Sequence, residues 1–539
     1  MQEDSQVFEA RSSKSFARSG GDSKELHCDL LVVGAGINGA GIARDAAGRG
    51  LSVVLCDKDD LAAHTSSAST KLVHGGLRYL EHAEFSLVRK ALIEREVLLR
   101  AAPHIIWPLR FVMPHDPEQR PAWMIRAGLF LYDLLARRRL LPGSGGIDLA
   151  KHPTGAALQS RFKRGFSYSD CWVDDARLVV LNAIDAAEKG ATVLTRMQCE
   201  SLQQYEGQWR AQLRARDGGS AEIHARCVVN ATGPWASQFL GQATSRGAQH
   251  CLRLVKGSHI VVHQLFDHRY AYIFQHTDRR IVFAIPYEGA FTLIGTTDLE
   301  YTGDLNHVAA SSDEVDYLCG LANHYFKHAI TPKDVVWSYS GVRPLLQDDS
   351  TEVSAITRDY TLAFDCDAAP FLTVFGGKIT TFRKLAEEAV DLIARQLGTA
   401  GHGNANGRAS GWTAGACLPG GDLFGSEPSD RSVRQFDEFI SELTKQYAFL
   451  PPALIARYAR AYGTRIHVLL AQCQALPDMG VELGPGLYAV EVLYLMRHEW
   501  ACTAADILWR RSKLGLHSPS ATEGMLDEWM ARTVSISSD

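Results

Sequence analysis

The segment Leu30-Leu31-Val32-Val33-Gly34-Ala35-Gly36-Ile37-Asn38-Gly39 decides the fold of the chain around it. Four apolar residues entering a glycine-rich turn predict a strand buried on both faces, and the small residues with apolar spacing from Ile37 to Arg49 predict a helix. Leu51, Val53, Val54 and Leu55 then make a second buried strand ending at Asp57. This is a βαβ unit of a parallel, doubly wound sheet. Its turn reads G-x-G-x-x-G. Gly34 permits the tight bend, Gly36 lets backbone approach a pyrophosphate, and Gly39 lets helix and strand pack closely. The helix N-terminus offers free N–H groups to an anion. Asp57, eighteen residues beyond Gly39, is placed to accept hydrogen bonds from a ribose diol. The turn alone does not separate NAD from FAD. Its place near the start of a long chain favours a cofactor held throughout catalysis, with a second domain laid over its ring.

The 539 residues, 46% hydrophobic and 22% charged, suffice for two to four domains with ordinary globular composition. A net charge of −5 supplies no general field for a polyanion, which argues against nucleic acid as a partner. An anionic ligand therefore needs a local cluster of Arg and Lys. Eleven scattered cysteines without a C-x-x-C pair predict reduced thiols, not a disulfide framework, a zinc site or an iron–sulfur cluster. The longest uncharged run, 227–245, is too polar for a spanning helix.

Residues 1–26 mix both charges without an apolar core and read as a flexible tail. A helix is predicted from about 84 to 101, and a basic, apolar-rich helix from Trp123 to Arg139. Strand-like runs at 258–263, 270–274, 281–286 and 291–294 form an antiparallel block inserted into the α/β frame, which resumes with the strand Phe371–Phe375 and a following helix. Five glycines within 398–411 mark a linker, and helical patterns continue beyond it. The expected division is a discontinuous cofactor-binding domain (27–100, 160–250 and 345–397), a substrate domain (101–159 and 251–344) and a helical C-terminal domain (412–539).

Several further motifs lie in order along the chain: Thr65-Ser66-Ser67-Ala68-Ser69-Thr70-Lys71-Leu72, His74-Gly75-Gly76-Leu77-Arg78-Tyr79-Leu80 and Ser169-Asp170-Cys171-Trp172-Val173-Asp174-Asp175. They continue with Asn230-Ala231-Thr232-Gly233-Pro234-Trp235, Lys256-Gly257-Ser258-His259, Gly295-Thr296-Thr297-Asp298, Ser340-Gly341-Val342-Arg343-Pro344, Thr357-Arg358-Asp359-Tyr360 and Phe375-Gly376-Gly377-Lys378. With the dinucleotide turn, this set resembles the aerobic FAD-dependent glycerol-3-phosphate dehydrogenases of bacteria from about residue 27 into the C-terminal helices. The resemblance implies an α/β Rossmann-like FAD-binding domain of D-amino-acid-oxidase type, an antiparallel β substrate domain and a helical cap. It implies non-covalent FAD and oxidation of sn-glycerol 3-phosphate to dihydroxyacetone phosphate in glycerol catabolism. Electrons would pass to membrane quinone, ubiquinone or menaquinone. The chain departs from the family pattern in its longer N-terminal tail and in Asp57, where Glu is common.

Oxidising a secondary alcohol that carries a phosphate needs a hydride acceptor, a proton acceptor and about two cations for the dianion, with Arg the best geometric match. By resemblance Arg343, Arg358 and Lys378 contact phosphate and hydroxyl, and Arg78 and Tyr79 close the site near the flavin. Cofactor contacts are expected from Gly34, Gly36, Ile37, Asn38, Gly39, Asp57, Thr65, Ser66, Ser67, Ser69, Lys71, His74, Gly75, Thr232, Gly233, Gly376, Gly377 and Thr380. Two histidines stand as proton acceptor: His259, at the start of a predicted strand, and His74, in the flavin-contacting loop; a buried structural histidine is the bland reading of each. His259 and His263 make no metal pair, since no third ligand follows at a typical interval, and no metal is expected.

Quinone dissolves in lipid, so the implied acceptor requires contact with a bilayer. The Trp123–Arg139 segment has the mixture of an interfacial docking element, although a packed helix with solvated arginines fits it too. The expected location is cytoplasmic, on the inner face of the cell membrane, with a homodimer among the allowed assemblies. The competing readings are an oxidase that passes electrons to O2 and a flavin- or NAD-binding regulatory protein without turnover.

Overall fold

Strand β1 (Lys24–Val33) lies between two cores, and its alternation divides them. Leu30 and Val32 face a helical layer with Ile42, Ala43, Ala46, Leu178 and Leu385, while Leu31 and Val33 face an apolar cluster with Leu202, Trp209 and Leu213. In this computed structural model, which describes residues 24–116, 121–243, 252–275, 280–346, 359–366, 369–399 and 407–536, helix α1 (Ile37–Gly48) joins β1 to the parallel strand β2 (Val53–Cys56). The sheet runs in the order Thr361–Asp365, Phe371–Phe375, Ser220–Asn230, β1, β2, Thr192–Leu194, with a hairpin of Met197–Tyr205 and Gln208–Ala215 attached to Ser220–Asn230. All neighbours in this order are parallel except Thr361–Asp365.

A second, ten-stranded sheet carries the antiparallel block. Leu252–His263 is its hub, paired with Phe291–Gly295, Leu299–Glu300 and the long strand Val335–Leu346. The structure moves two boundaries of the sequence reading. Arg164–Val173 and Leu72–Val73, within segments assigned to the cofactor domain, belong to this second sheet. Arg164–Val173 pairs antiparallel with Ile106–Pro114, from Ile106↔Val173 to Pro114↔Gly165. It is buried on both faces along almost its whole length, so no alternation told which sheet it joins. At the N-terminus, Lys24–Leu26 lie inside β1, paired with Ala221–Ile223, although the tail was read as running to residue 26.

The basic helix spans Ala122–Leu134, so Arg137, Arg138 and Arg139 lie beyond its end. It buries only Leu129 and Tyr132. The C-terminal helices Phe436–Gln446, Pro452–Tyr462, Ala489–His498 and Ala521–Ile536 enclose an apolar core of their own. Buried ion pairs dock this unit on the first: Arg511 donates to both carboxylate oxygens of Asp60 at 2.6 and 2.8 Å, and Arg177 pairs with Glu499. The ten described cysteines form no disulfide, and Cys251 lies outside the described residues.

Candidate active site

At the carboxyl ends of β1, Ser220–Asn230 and Phe371–Phe375 lies a cavity of about 560 Å³. It is lined by Gly34, Gly36, Ile37, Asn38, Asp57, Thr65, Ser66, Thr232, Gly233, Gly376 and Gly377, all expected from sequence. Ligands of doubly wound sheets occupy this position. Gly34 has φ +103°, and a Cβ there would lie 2.6 Å from the Ala231 carbonyl oxygen; a Cβ on Gly39 would lie 1.8 Å from that of Gly34. Gly39 thus acts by packing, behind the cavity wall. Helix α1 opens at Gly36 with no side-chain cap and no acidic residue in its first turn, which leaves its positive end toward the cavity. Asp57 accepts hydrogen bonds from the N–H groups of Ala35 (2.7 Å) and Asp59 (2.9 Å) and has no cation bonded to it among the described residues. Burial pushes its carboxyl up to about 6, against the lowering effect of those two N–H groups.

The loop that follows, 65–75, is gripped from outside the cavity. Thr65 Oγ1 donates to the Val342 carbonyl (2.8 Å), and Ser66 Oγ accepts from Ile37 N–H (2.9 Å). Ser67 faces a smaller adjoining cavity, its hydroxyl donating to the His64 carbonyl. Ser69 and Lys71, expected on the cofactor, are turned to Asp175 instead. Ser69 donates through N–H and hydroxyl, at 3.1 and 2.7 Å, and Lys71 Nζ through an ion pair of 2.7 Å. Lys71 is fully buried in a left-handed conformation (φ +59°), which the carboxylate offsets. The Gly75 N–H, another expected contact, donates to the Tyr132 hydroxyl at 2.8 Å. The Thr380 hydroxyl accepts from the His74 N–H at 3.2 Å, tying this loop to the one after Gly377.

The two candidate bases differ in access. His259 is 2% exposed, stacked on Tyr339 (centroids 4.8 Å, 14°), with Nε2 3.0 Å from Thr70 Oγ1. Burial, reinforced by Lys71 and Arg343, pushes its imidazole down to about 3. The ring thus lies enclosed behind the loop. His74 is half-buried on the loop itself.

Among the cations, Lys378 Nζ sits 3.8 Å from the centroid of the Tyr79 ring. Arg78, beside Tyr79 in the turn Leu77–His82, is half-buried and has no hydrogen-bond or ion-pair partner among the described residues. Arg343 reaches Asp298 Oδ1 (2.7 Å) and the Thr297 carbonyl (3.1 Å). Its neighbour Pro344 lines the cavity with Gly377, so Arg343 and Lys378 both adjoin that wall. Arg358 lies outside the described residues.

Sequence reasoning missed the far end of the cavity, lined by Gln198, Cys199, Glu200, Arg216 and Gln238. These residues come from the hairpin and the helix Ala236–Ala243, with no local motif; the Met197 N–H bonded to the Asp57 carbonyl is what brings them there. Trp235, under Lys58 Nζ at 3.9 Å, was within a quoted motif but not chosen.

A glycine-lined cavity at the carboxyl edge of a parallel sheet, beside a second, mostly antiparallel sheet, defines a dinucleotide-binding protein of two-sheet architecture. Residues 29–383 match the family of FAD dependent oxidoreductases, and residues 412–535 match the C-terminal domain of alpha-glycerophosphate oxidase. The chain belongs to the family of FAD-dependent glycerol-3-phosphate dehydrogenases. It is 53% identical to the glycerol-3-phosphate dehydrogenase of Pseudomonas aeruginosa over 91% of this chain and 93% of that one. It is 49% identical to the D-erythritol 1-phosphate dehydrogenase of Brucella abortus, over 93% and 97%. The glycerol-3-phosphate dehydrogenase of Bacillus halodurans, solved with FAD, is 27% identical and superposes with a TM-score of 0.75, covering 98% of this chain and 94% of that one.

FAD is the cofactor, and the residues present fit it. Besides the glycine clearances, Asn38 Oδ1 is buried at the cavity wall with no hydrogen-bond partner among the described residues, while its Nδ2 donates to the Gly376 carbonyl. An acceptor left open there suits a donor on the cofactor.

Proposed function

We propose that the protein oxidises sn-glycerol 3-phosphate to dihydroxyacetone phosphate and passes the electrons to membrane quinone, ubiquinone or menaquinone, in glycerol catabolism. The observation that carries this reading is Arg78. A half-buried guanidinium without a partner among the described residues, next to the Tyr79–Lys378 stack, is a site prepared for an anion. Arg78, Lys378 and Arg343, with Arg358 assigned by resemblance, bind the phosphate and orient the C2 hydroxyl. FAD, when bound, supplies the acceptor for the hydride that leaves C2 with its electron pair. His74 takes the hydroxyl proton as the C=O bond forms; its access favours it over the enclosed His259.

The quinone reading is supported by the helix Ala122–Leu134. Trp123 (70% exposed), Phe130 (56%) and Leu134 (64%) recur at helical spacing on its outer side, near Arg126 and followed by Arg137, Arg138 and Arg139. A broad apolar face edged with arginines fits a lipid headgroup boundary. No described helix is long and apolar enough to cross a membrane, so this contact would be peripheral, on the cytoplasmic face.

The Brucella abortus relative favours a second reading, a four-carbon polyol phosphate as substrate. Anaerobic mixing tests both. Bound flavin is expected to lose its yellow absorption within seconds of adding glycerol 3-phosphate, and to regain it with a quinone analogue. Faster bleaching by D-erythritol 1-phosphate replaces the first reading with the second. Bleaching reversed only by O2, with peroxide formed, replaces quinone with oxygen.

A further inference from the structure

The triplets Glu25-Leu26-His27 and Glu222-Ile223-His224 repeat one pattern on neighbouring strands. β1 and Ser220–Asn230 are parallel and in register there, Glu25 opposite Glu222 and His27 opposite His224. With a side-chain period of two, all four polar side chains share one face, while Ile223 is buried on the other. The imidazoles stack with centroids 4.8 Å apart and 26° between planes. Glu25 Oε1 lies 3.2 Å from Nε2 of His27 and 3.2 Å from Nε2 of His224.

We propose that Glu25, His27 and His224 form a binding site for a borderline divalent metal ion of the Zn2+ type. One ligand atom from each lies within 4.8 Å of the other two. For bonds of 2.0–2.1 Å, tetrahedral ligands are separated by about 3.3 Å, close to the two carboxylate–imidazole distances. His27 and Glu25 are 70% and 57% exposed, so their side chains have room to close the third edge, with water in the fourth position. Two imidazoles and one carboxylate select Zn2+, Cu2+ or Ni2+ over Ca2+ or Mg2+.

Glu222 acts behind the ligands. Its Oε1 is 2.9 Å from His224 Nε2, and Arg210 and Gln212, from the adjacent strand Gln208–Ala215, hold its carboxylate through hydrogen bonds of 2.5 to 2.8 Å. It meets the same nitrogen that Glu25 faces, so on metal binding it gives up this hydrogen bond and its carboxylate stays beside the ion as a held negative charge. Two carboxylates against one guanidinium leave a local charge of −1, which favours a cation. The site lies at the opposite end of β1 from Gly34, roughly 20 Å away at strand rise. It is therefore a clamp that fastens residues 24–28 to the neighbouring strand and takes no part in turnover.

Isothermal titration of chelator-treated holoenzyme with ZnCl2, compared with the double variant His27→Ala/His224→Ala, tests this. The intact protein is expected to bind one equivalent in the micromolar range and to melt higher with Zn2+. The double variant is expected to lose at least about tenfold in affinity and the whole thermal shift, with flavin content and turnover unchanged. Equal binding by both proteins, which places the ion elsewhere, or no binding by the intact protein overturns the proposal. Glu25→Gln, which preserves side-chain size and hydrogen bonding, is the second variant: it should weaken Zn2+ binding if Glu25 is a ligand, and an unchanged affinity removes it from the site.

Discussion

Charges in the domain interior and charges at the cavity are built on opposite rules. Inside, five buried cations meet carboxylates from distant parts of the chain: Arg511 with Asp60, Arg177 with Glu499, Arg95 with Asp170, Arg383 with Glu94, Lys71 with Asp175. Around the cavity the pairing is incomplete, although Arg216 meets Asp59 and Arg343 meets Asp298. Among the described residues, Arg78 has no partner, and Asp57 has backbone N–H groups but no bonded cation. Interior charges position the walls, and the solitary ones await opposite or hydrogen-bonding groups on ligands.

The largest effect should come from breaking an interior pair. Arg511→Met takes from buried Asp60 the guanidinium that bonds both its oxygens, leaving Arg510 on Oδ2 at 2.7 Å, and should cost about 3 kcal/mol in urea unfolding. Asp60→Leu combined with Arg511→Met should recover part of that loss, because an apolar pair carries no desolvation penalty and Arg510, which also bonds Asp60, keeps Asp506. Equal instability of single and double variants would show that the pair does more than hold two surfaces together.

Asp175→Asn tests the same rule beside the cofactor. It leaves Lys71 charged and buried, and should cost about 3 kcal/mol. Since Ser69 and Lys71 hang on this carboxylate, part of the loss should appear as weaker FAD retention on dilution, followed by flavin fluorescence. Full retention of FAD would mean that the loop is held by Thr65 and Ser66 alone.

Arg78→Ala should leave the melting temperature unchanged, as no partner among the described residues is abandoned. It should lower kcat/KM for glycerol 3-phosphate by about tenfold to a hundredfold, the value of one charge-assisted hydrogen bond. Unaltered kinetics would make Arg78 a solvated surface charge.

These two populations explain what could be read in the sequence. The βαβ unit and its glycines were legible because strand, turn and helix signals are local, and most residues expected at the dinucleotide turn do line the cavity. Which arginines are structural was not legible: Arg511 and Asp60 are 451 positions apart, and composition cannot show that one neutralises the other. That Lys71 and Ser69 bond Asp175 was not legible for the same reason, since their motif is local but Asp175 lies on a helix about a hundred residues on. His259 carried a plausible pKa by residue type, and its burial against Tyr339 was not legible in the strand pattern. The doubly buried Arg164–Val173 had no alternation to assign its sheet.

Asp57 gives the smallest effect and the sharpest test of the rule for solitary charges. In the free protein, burial holds its carboxyl near about 6, above the usual value of roughly 3.9. A raised carboxyl contributes stability at low pH that is lost as pH rises through about 6, so by this group alone the FAD-free protein gains stability on mild acidification. Ribose hydroxyls donating to the carboxylate favour its ionised form, so FAD binding should release a proton in this range. The affinity for FAD should then fall about tenfold between about pH 7 and about pH 5, measured by flavin fluorescence. Asp57→Asn should bind FAD less tightly at neutral pH and lose the dependence. If the slope survives in Asp57→Asn, another group governs it, and Asp57 belongs with the paired charges of the interior after all.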